Sequence, residues 1–272
     1  MELKSSTIFK DIYDVELKNR VKSLIDFFNE EYYKGNKVAF LYKDEDNTIS
    51  YNEDICFYAA STIKILAVLL MFKRIDEKVF DLNDNILITM DDLKQDSGII
   101  KYQKEDTYYT LEELLRLTIV ESDNTAYLKI VSLLGGKEAL KEFGNSLGAI
   151  HTMEGKDSFG ITNCTDMLVY LKNVIDYIKM NNKHSKMLHT WMLNTTTKKV
   201  KVENLNGPFL RKGGEYDVAY HDVGYVKANK PYYLIILTQL MKMDYKDEFI
   251  NKAAIKIKDI NEYIEMREKD DR

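Results

Sequence analysis

The order of strand-like and helix-like segments along the chain most constrains its fold. Lys37–Tyr42 and Thr48–Tyr51 flank a DEDN turn and predict a β-hairpin. Strand patterns return only after Gly213-Gly214, in DVAYHDVGYV and PYYLIILTQL. The middle of the chain has helical periodicity, as do residues 15–33 and 246–267. The two ends of the chain therefore supply strands and covering helices, and the middle supplies helices.

We predict from this order an α+β protein with one domain, residues 15–268, in two lobes. Strands that lie close in sequence usually pair as neighbours, so the sheet of the α/β lobe (about 15–60 and 205–268) should be antiparallel. The inserted lobe, about 61–204, should be all helical. The crevice between the lobes is the expected place for a ligand site.

Composition and charge exclude several classes of protein. Of the 272 residues, 45% are hydrophobic and 31% are charged, as in ordinary globular chains. The net charge of −5 is well mixed, so we expect no nucleic-acid partner. The apolar run Ile65–Phe72 is far shorter than the roughly 20 residues of a membrane span. No leader pattern is visible, which leaves a cytoplasmic chain or one that starts after a processing site. We expect a monomer.

Neither cysteines nor histidines predict a metal or cofactor site. Cys56 and Cys164 lack metal-ligand spacing, and two buried free thiols are expected rather than one bridge. The four histidines are His151, His184, His189 and His221. Their spacing fits neither a metal site nor a Ser-His-Asp triad, and there is no phosphate-binding loop. We expect no cofactor and no metal.

A serine and a lysine three positions apart precede the apolar run. Ser61 and Lys64 lie in FYAASTIKIL, and residues i and i+3 share a helix face. A lysine serves as a base for serine only when desolvation or nearby cations lower its pKa, and a buried helix would desolvate Lys64. Helix N-terminal N–H groups could hold an oxyanion near Ser61. The alternative is an N-cap serine followed by a solvated lysine.

Two further polar stretches are ambiguous on their own. Ser122-Asp123-Asn124 falls in a turn between two apolar helices, where Asp or Asn commonly caps the next helix. The functional alternative is a hydroxyl that relays a proton and an amide that binds a carbonyl. Lys212-Gly213-Gly214 could bring a cation and bare backbone to an anionic ligand, or could form a simple turn.

The combination of S-x-x-K, S-D-N and K-x-G in this order resembles the motif set of class A β-lactamases and penicillin-binding proteins. FYAASTIKI resembles the segment around the family's nucleophile. DSGII resembles the stretch before S-D-N, and HDVGYV the strand after K-T-G. The resemblance runs from about residue 15 to the last helix. It implies a two-lobed serine β-lactamase-like fold with a five-stranded antiparallel sheet flanked by terminal helices.

The resemblance also implies roles for the helical-lobe residues. Ser61 would be the acylated nucleophile, and Lys64 the base that activates it. Ser122 would carry the proton to the leaving nitrogen. Asn124 would bind the amide carbonyl of the substrate.

The strand residues have implied roles as well. Lys212 would attract the substrate carboxylate, with Gly213 and Gly214 beside it. The backbone N–H groups of Ser61 and Glu215 would form the oxyanion hole. The substrate would be a β-lactam or a D-Ala-D-Ala-like peptide of the peptidoglycan type.

The sequence departs from the family in two places. LGAIHTMEGKDSFGITNCTDM lacks the E-x-x-L-N motif whose glutamate activates the deacylating water, and Glu154 is the one acid of suitable length there. Glu154 is either that base or a solvated loop residue. Gly213 replaces a threonine or serine that hydrogen-bonds the β-lactam carboxylate, a contact worth roughly 1.5–3 kcal/mol.

These features lead to two hypotheses from different classes. The first is a serine hydrolase that forms an acyl-enzyme on Ser61 and deacylates slowly. The second is a non-catalytic module that recognises a cell-wall fragment or a protein through the same crevice. Retention of Ser61, Lys64, Ser122 and Asn124 together favours the hydrolase.

Overall fold

The computed structural model describes residues 5–8, 14–155, 158–241 and 244–270. Residues 1–4 and 9–13, part of the N-terminal segment in which no leader pattern is visible, lie outside these ranges, as do residues 156 and 157 of the loop that contains Glu154. The strands within them are β1 (Ser5–Ile8), β2 (Lys37–Lys43), β3 (Thr48–Tyr51), β4 (Phe57–Tyr58), β5 (Asn85–Ile88), β6 (Thr107–Thr110), β7 (Ile161–Thr162), β8 (Phe209–Tyr216), β9 (Ala219–Val226) and β10 (Tyr232–Gln239). The helices are α1 (Val15–Tyr33), α2 (Lys64–Asp76), α3 (Leu111–Val120), α4 (Asn124–Leu133), α5 (Lys137–Ser146), α6 (Cys164–Lys179), α7 (Lys183–Leu193) and α8 (Lys246–Asp270).

The main sheet is antiparallel throughout, in the order β1-β3-β2-β10-β9-β8. The α+β class and the five-stranded antiparallel sheet are confirmed, and β1 adds a short further strand at the edge beside β3. The opposite edge strand is β8, which already begins at Phe209. Lys212, Gly213 and Gly214 therefore lie inside a strand, not in the turn before one.

Alternate residues of the sheet enter two different cores. In β2, Val38, Phe40 and Tyr42 pack with the terminal helices α1 and α8. Ala39 and Leu41 point to the other face, toward the helices of the middle of the chain. This period of two is what a strand buried on both faces requires.

The terminal helix α1 follows from its sequence pattern. The Asp14 side chain caps it by accepting a hydrogen bond from Leu17 N at 2.8 Å. Leu17, Val21, Leu24 and Phe28 recur at helical spacing and are buried against the sheet and α8. Burial of each such side chain contributes roughly 1.5–3 kcal/mol.

Helix α2 runs through the interior of the helical region, and its residues from Lys64 to Phe72 are all buried. Helix α3 beside it opens with a capping box, in which Thr110 and Glu113 bond reciprocally at 3.2 and 2.8 Å. The prediction that residues 61–204 are all helical is wrong for β5, β6 and β7: β5 pairs with β6, and β7 pairs with β4 just before the region. Both cysteines are free thiols, and Cys56 is partly exposed whereas Cys164 is buried.

Candidate active site

The Ser61 side chain lies on a single 3-10 turn, Ala60–Ile63, that leads directly into α2. Ala60 has a φ of 47°, in the left-handed region that a residue with a Cβ adopts at a cost of about 1–3 kcal/mol. Thr62 holds the turn by donating its hydroxyl proton to Ala59 O at 2.6 Å. Ser61 is 9% exposed, at the border between interior and solvent.

Lys64 is fully buried, and its amine is held by the S-D-N turn. Lys64 Nζ lies 2.6 Å from Ser122 O, 2.6 Å from Asn124 Oδ1 and 3.2 Å from Ser122 Oγ. In the described part of the chain, the Ser61 hydroxyl is not among its hydrogen-bond partners. Burial, followed by the nearby Lys212 ammonium, holds the pKa of Lys64 well below its ordinary value. This lowering of the pKa favours the neutral amine, which is the form that can act as a base.

Two aromatic rings cover the remaining side of the Lys64 amine. Its Nζ lies 5.6 Å from the ring centroids of both Tyr127 and Phe159, which lie 5.1 Å from each other. Tyr127 donates its hydroxyl proton to Ser158 O at 2.6 Å and thereby fixes the Phe159 segment. Sequence reasoning did not identify Phe159, although it lies in the loop that lacks E-x-x-L-N.

The S-D-N turn caps the next helix, as one of its two interpretations predicts. Asp123 caps α4 through Ala126 N at 2.9 Å, and its other oxygen accepts from Ile99 N and Ile100 N at 2.7 and 2.8 Å. With the capping done by Asp123, the side chains of Ser122 and Asn124 are directed at Lys64. Ser122 has a φ of 54°, a conformation that the Asp123 bonds help to enforce.

Lys212 approaches the same serine from β8. Lys212 Nζ donates to Ser122 Oγ at 2.9 Å, to Gly213 O at 2.9 Å and to Thr197 Oγ1 at 3.2 Å. Burial lowers the pKa of Lys212 to about 7, against an opposing effect of Asp222. Ser122 Oγ thus accepts hydrogen bonds from both amines and lies between Lys64 and Lys212.

The two glycines after Lys212 allow close contacts on opposite sides of β8. A Cβ on Gly214 would lie 3.2 Å from Thr62 N and 2.9 Å from Thr62 Cγ2, so β8 lies directly against the Ser61 turn. A Cβ on Gly213 would lie 2.1 Å from Thr197 O. The Thr197 carbonyl leaves no room for a side chain at Gly213, whereas a Cβ at Gly214 would require a small shift of Thr62.

Glu215 follows the glycines, with its backbone in β8 and its side chain partly exposed. Its carboxylate forms ion pairs with Lys199 and Lys246. Partial burial raises its pKa, but the hydrogen bonds from the two lysines outweigh this and lower it overall.

Glu154, the candidate water-activating acid, has a side chain that is 44% exposed. Its Oε2 lies 3.2 Å from His151 Nδ1. Phe159 of the same loop is the residue that faces Lys64.

Neither a metal site nor a membrane span is found among the described residues. They contain no cluster of three or more His, Cys, Asp or Glu side chains that could hold a metal ion, and none of their helices has the length and apolar character of a transmembrane span.

Comparison with known proteins places the chain among enzymes with this fold. A family model described as "Beta-lactamase enzyme family" matches residues 16–261. A β-lactamase of Proteus vulgaris is 34% identical over 122 residues, 44% of this chain and 45% of the relative. β-Lactamase BRO-1 of Moraxella catarrhalis is 24% identical over 257 residues, 85% of this chain and 80% of the relative. The match to the Proteus protein thus spans less than half of that relative.

Solved structures agree on the fold. A leucine-to-glutamate mutant of PBP-A, in an acyl-enzyme complex with penicillin G, superposes with a TM-score of 0.80 at 20% identity, covering 91% of this chain and 97% of that one. A class A β-lactamase from Bacteroides cellulosilyticus superposes with a TM-score of 0.78 at 20% identity, covering 90% and 98%. At these identities the likeness shows the fold alone.

Proposed function

We propose that this chain, which belongs to the β-lactamase enzyme family, forms an acyl-enzyme on Ser61 with β-lactams or D-Ala-D-Ala-like peptides and hydrolyses it slowly. The observation that carries the proposal is the Ser122 hydroxyl held between Lys64 and Lys212 at 3.2 and 2.9 Å. One lysine is poised to take a proton and the other to stabilise negative charge. This division of roles is what acyl transfer by serine needs.

The proposed acylation step moves one proton around this cluster. The neutral amine of Lys64 takes the Ser61 proton as Ser61 Oγ attacks the substrate carbonyl carbon. Backbone N–H groups of Ser61 and Glu215 stabilise the oxyanion. Ser122 then gives its proton to the leaving nitrogen as the C–N bond breaks, and Lys64 returns a proton to Ser122. The products are an ester on Ser61 and an N–H on the departing or opened amine.

Asn124 and Lys212 orient the substrate in this scheme. Asn124 Oδ1 is engaged by Lys64, which leaves its amide N–H₂ group available for a substrate carbonyl. Lys212 attracts the carboxylate that β-lactams and peptide C-termini share. The PBP-A mutant captured as an acyl-enzyme with penicillin G supports this class of ligand, because that protein has the same fold.

The proposal of slow deacylation rests on the residue that packs beside Lys64, which is Phe159 and not an acid. Hydrolysis of the ester needs a water molecule and a base that removes its proton, and loss of a general base typically lowers a rate by about 10²–10⁴-fold. The aromatic ring of Phe159 packs on the Lys64 side of the site and has no proton-accepting group. Glu154 is partly exposed to solvent and contacts His151, which favours its interpretation as a loop residue without a catalytic role.

The non-catalytic binding module is less well supported. A module that only recognises a ligand has no use for a lysine buried in neutral form. Such burial without function destabilises the fold, because the amine must give up its hydration and its proton on folding. The fully buried Lys64 therefore argues for chemistry.

The test is the intact mass of the protein after incubation with benzylpenicillin, followed over minutes to hours. We expect a stable adduct on wild type and on Ser132→Ala, which alters an exposed serine of α4, and none on Ser61→Ala. Peptide mapping should place the adduct on Ser61.

The other outcomes would contradict part or all of the proposal. Hydrolysed drug without an accumulated adduct would refute slow deacylation and indicate an active base in the loop. Intact drug and unmodified protein would refute acylation by β-lactams and favour the binding module.

A further inference from the structure

The segment 195–200 joins the helical region to the edge strand at the site. At its start, Thr196 N donates to Val120 O at 2.8 Å, immediately before the S-D-N turn. At its end, Val200 N donates to Asp222 Oδ2 at 2.9 Å. We call residues 195–200 the threonine loop. Both of its ends are held by hydrogen bonds, so its middle is fixed relative to Ser122 and Lys212.

A buried ion pair reinforces the end of the threonine loop. Arg211 and Asp222 are 1% and 0% exposed, and their closest N–O distance is 3.1 Å. Arg211 also donates to Val200 O. Because Gly213 pairs with Asp222 across β8 and β9, this anchor lies beside the glycine that contacts the loop.

The threonine loop occupies the space that a side chain at position 213 would need. The carbonyl of Thr197 occupies the position where a Cβ would project, 2.1 Å from it. The Thr197 hydroxyl reaches Lys212 Nζ at 3.2 Å. The strand thus lacks a hydroxyl at Gly213, and the loop brings one to the same lysine.

The hydroxyl of Thr197 is free to redirect its proton. Thr195 Oγ1 donates to Ile119 O at 3.1 Å, so in its 3.0 Å contact with Thr197 Oγ1 the proton comes from Thr197. Thr197 Oγ1 meanwhile accepts from Lys212. Rotation about one bond would turn this proton from a neutral hydroxyl to an anion next to Lys212, which is a stronger acceptor. Thr197 is partly exposed, so a ligand can reach it.

We propose that Thr197 is a ligand-binding residue that donates a hydrogen bond to the carboxylate held by Lys212, in place of the hydroxyl that Gly213 lacks. This inference rests on the proposed function for its ligand, a carboxylate-bearing β-lactam. It assigns to the threonine loop the recognition that a strand side chain would otherwise provide.

The experiment measures equilibrium binding of benzylpenicillin to protein that carries Ser61→Ala, so that acylation does not contribute. Thr197→Val keeps the shape and removes the hydroxyl, Thr197→Ser keeps the hydroxyl, and Thr190→Val removes an exposed threonine hydroxyl of α7. Benzylpenicillin methyl ester serves as the ligand without the negative charge.

We expect Thr197→Val to weaken benzylpenicillin binding by about 10-fold to 100-fold, the value of one charge-assisted hydrogen bond. Thr197→Ser should restore binding to within a few fold, Thr190→Val should leave it unchanged, and binding of the methyl ester should be insensitive to Thr197. A merely structural role would weaken acid and ester alike.

Three results would overturn the inference: equal binding by Thr197→Val, equal loss for acid and ester, or no binding of benzylpenicillin to the Ser61→Ala protein. Failure of the proposed function is a separate observation. Wild type without an adduct, alongside Thr197-dependent binding in the Ser61→Ala protein, would refute acylation and leave the assignment of Thr197 standing.

Discussion

The amines of Lys64 and Lys212 reach the same Ser122 hydroxyl from opposite sides, at 3.2 and 2.9 Å. Both lysines are fully buried, and each positive charge disfavours the other. The arrangement is favourable when Lys64 is neutral and Lys212 is charged. In the proposed mechanism, this single protonation state would serve both proton transfer at Ser61 and attraction of a carboxylate.

The first prediction is a bell-shaped dependence of the acylation rate on pH. Protonation of Lys64 removes the base, so the rate falls at low pH. The pKa of Lys212 is about 7, so the free protein loses the charge that attracts the carboxylate as the pH rises through that value. Stopped-flow acylation by benzylpenicillin across this range should show the alkaline limb near neutrality.

Lys212→Arg provides the control for that limb. Guanidinium stays protonated to far higher pH, so the alkaline limb should move upward by more than about one pH unit even if the rate at the maximum is lower. An alkaline limb that stays near pH 7 in this variant would mean that another group titrates.

The second prediction concerns the release of the acyl group. Phe159→Glu puts a carboxylate where the ring now packs near Lys64 and should speed deacylation by about 10²-fold or more, the effect of supplying a general base. Phe159→Leu removes the ring without adding a base and should leave the adduct long-lived. The lifetime of the adduct by intact mass measures both. Equal lifetimes for the two variants would exclude the missing base as the cause of slow release.

Much of the fold follows from local patterns in the sequence. Helix α1 spans residues 15–33 as its apolar periodicity predicts, because burial of one face decides the conformation. Strand β8 was harder to place, since Lys212, Gly213 and Gly214 disfavour a strand locally. Pairing of β8 with β9 and contact with the Ser61 turn override that preference.

The site shows the same limit of sequence reasoning. Ser61, Lys64 and Ser122 stand in motifs with fixed spacing, so they could be singled out from the sequence. Thr197 and Phe159 belong to no motif, and each matters only because folding brings it within reach of a lysine. The sequence offered one weak sign for each: a run of three threonines, and a loop without its expected glutamate.

The third prediction is that Gly213→Ala destabilises the protein by crowding. The added Cβ would lie 2.1 Å from Thr197 O, a backbone atom that moves only with the threonine loop. We expect a loss of about 1–3 kcal/mol in the free energy of unfolding, measured by denaturant titration. Gly35→Ala is the comparison, because its φ of 89° is strained for alanine whereas nothing lies within 4 Å. Gly35→Ala should lower the free energy of unfolding by less than Gly213→Ala does. It should also leave penicillin binding unchanged, whereas Gly213→Ala should weaken it. An unchanged free energy of unfolding in Gly213→Ala would mean that the threonine loop moves aside without cost.

The fourth prediction concerns His221, which joins the segment before Ser61 to the sheet. Its Nδ1 accepts from Thr238 N at 3.0 Å, which puts the ring proton on Nε2, and that group donates to Tyr58 O at 2.8 Å. Protonation of Nδ1 would remove the acceptor for Thr238 N, whereas the bond from Nε2 to Tyr58 O would remain. Burial lowers the pKa of His221 from 6.5 to about 4.

The sign of the resulting pH dependence follows from proton counting. Between pH 6.5 and 4 the unfolded chain binds a proton at His221 that the folded chain does not, so stability falls as the pH falls through this window. This lowering of the pKa corresponds to a loss of about 3 kcal/mol in the free energy of unfolding by pH 4. His221→Gln should be less stable at neutral pH but should lose less on acidification. Val223→Ala, a buried truncation on the same strand, should also be less stable yet keep the wild-type slope. Denaturant unfolding at several pH values compares the three proteins, and a parallel decline for His221→Gln and wild type would exclude His221 as the source of the acid sensitivity.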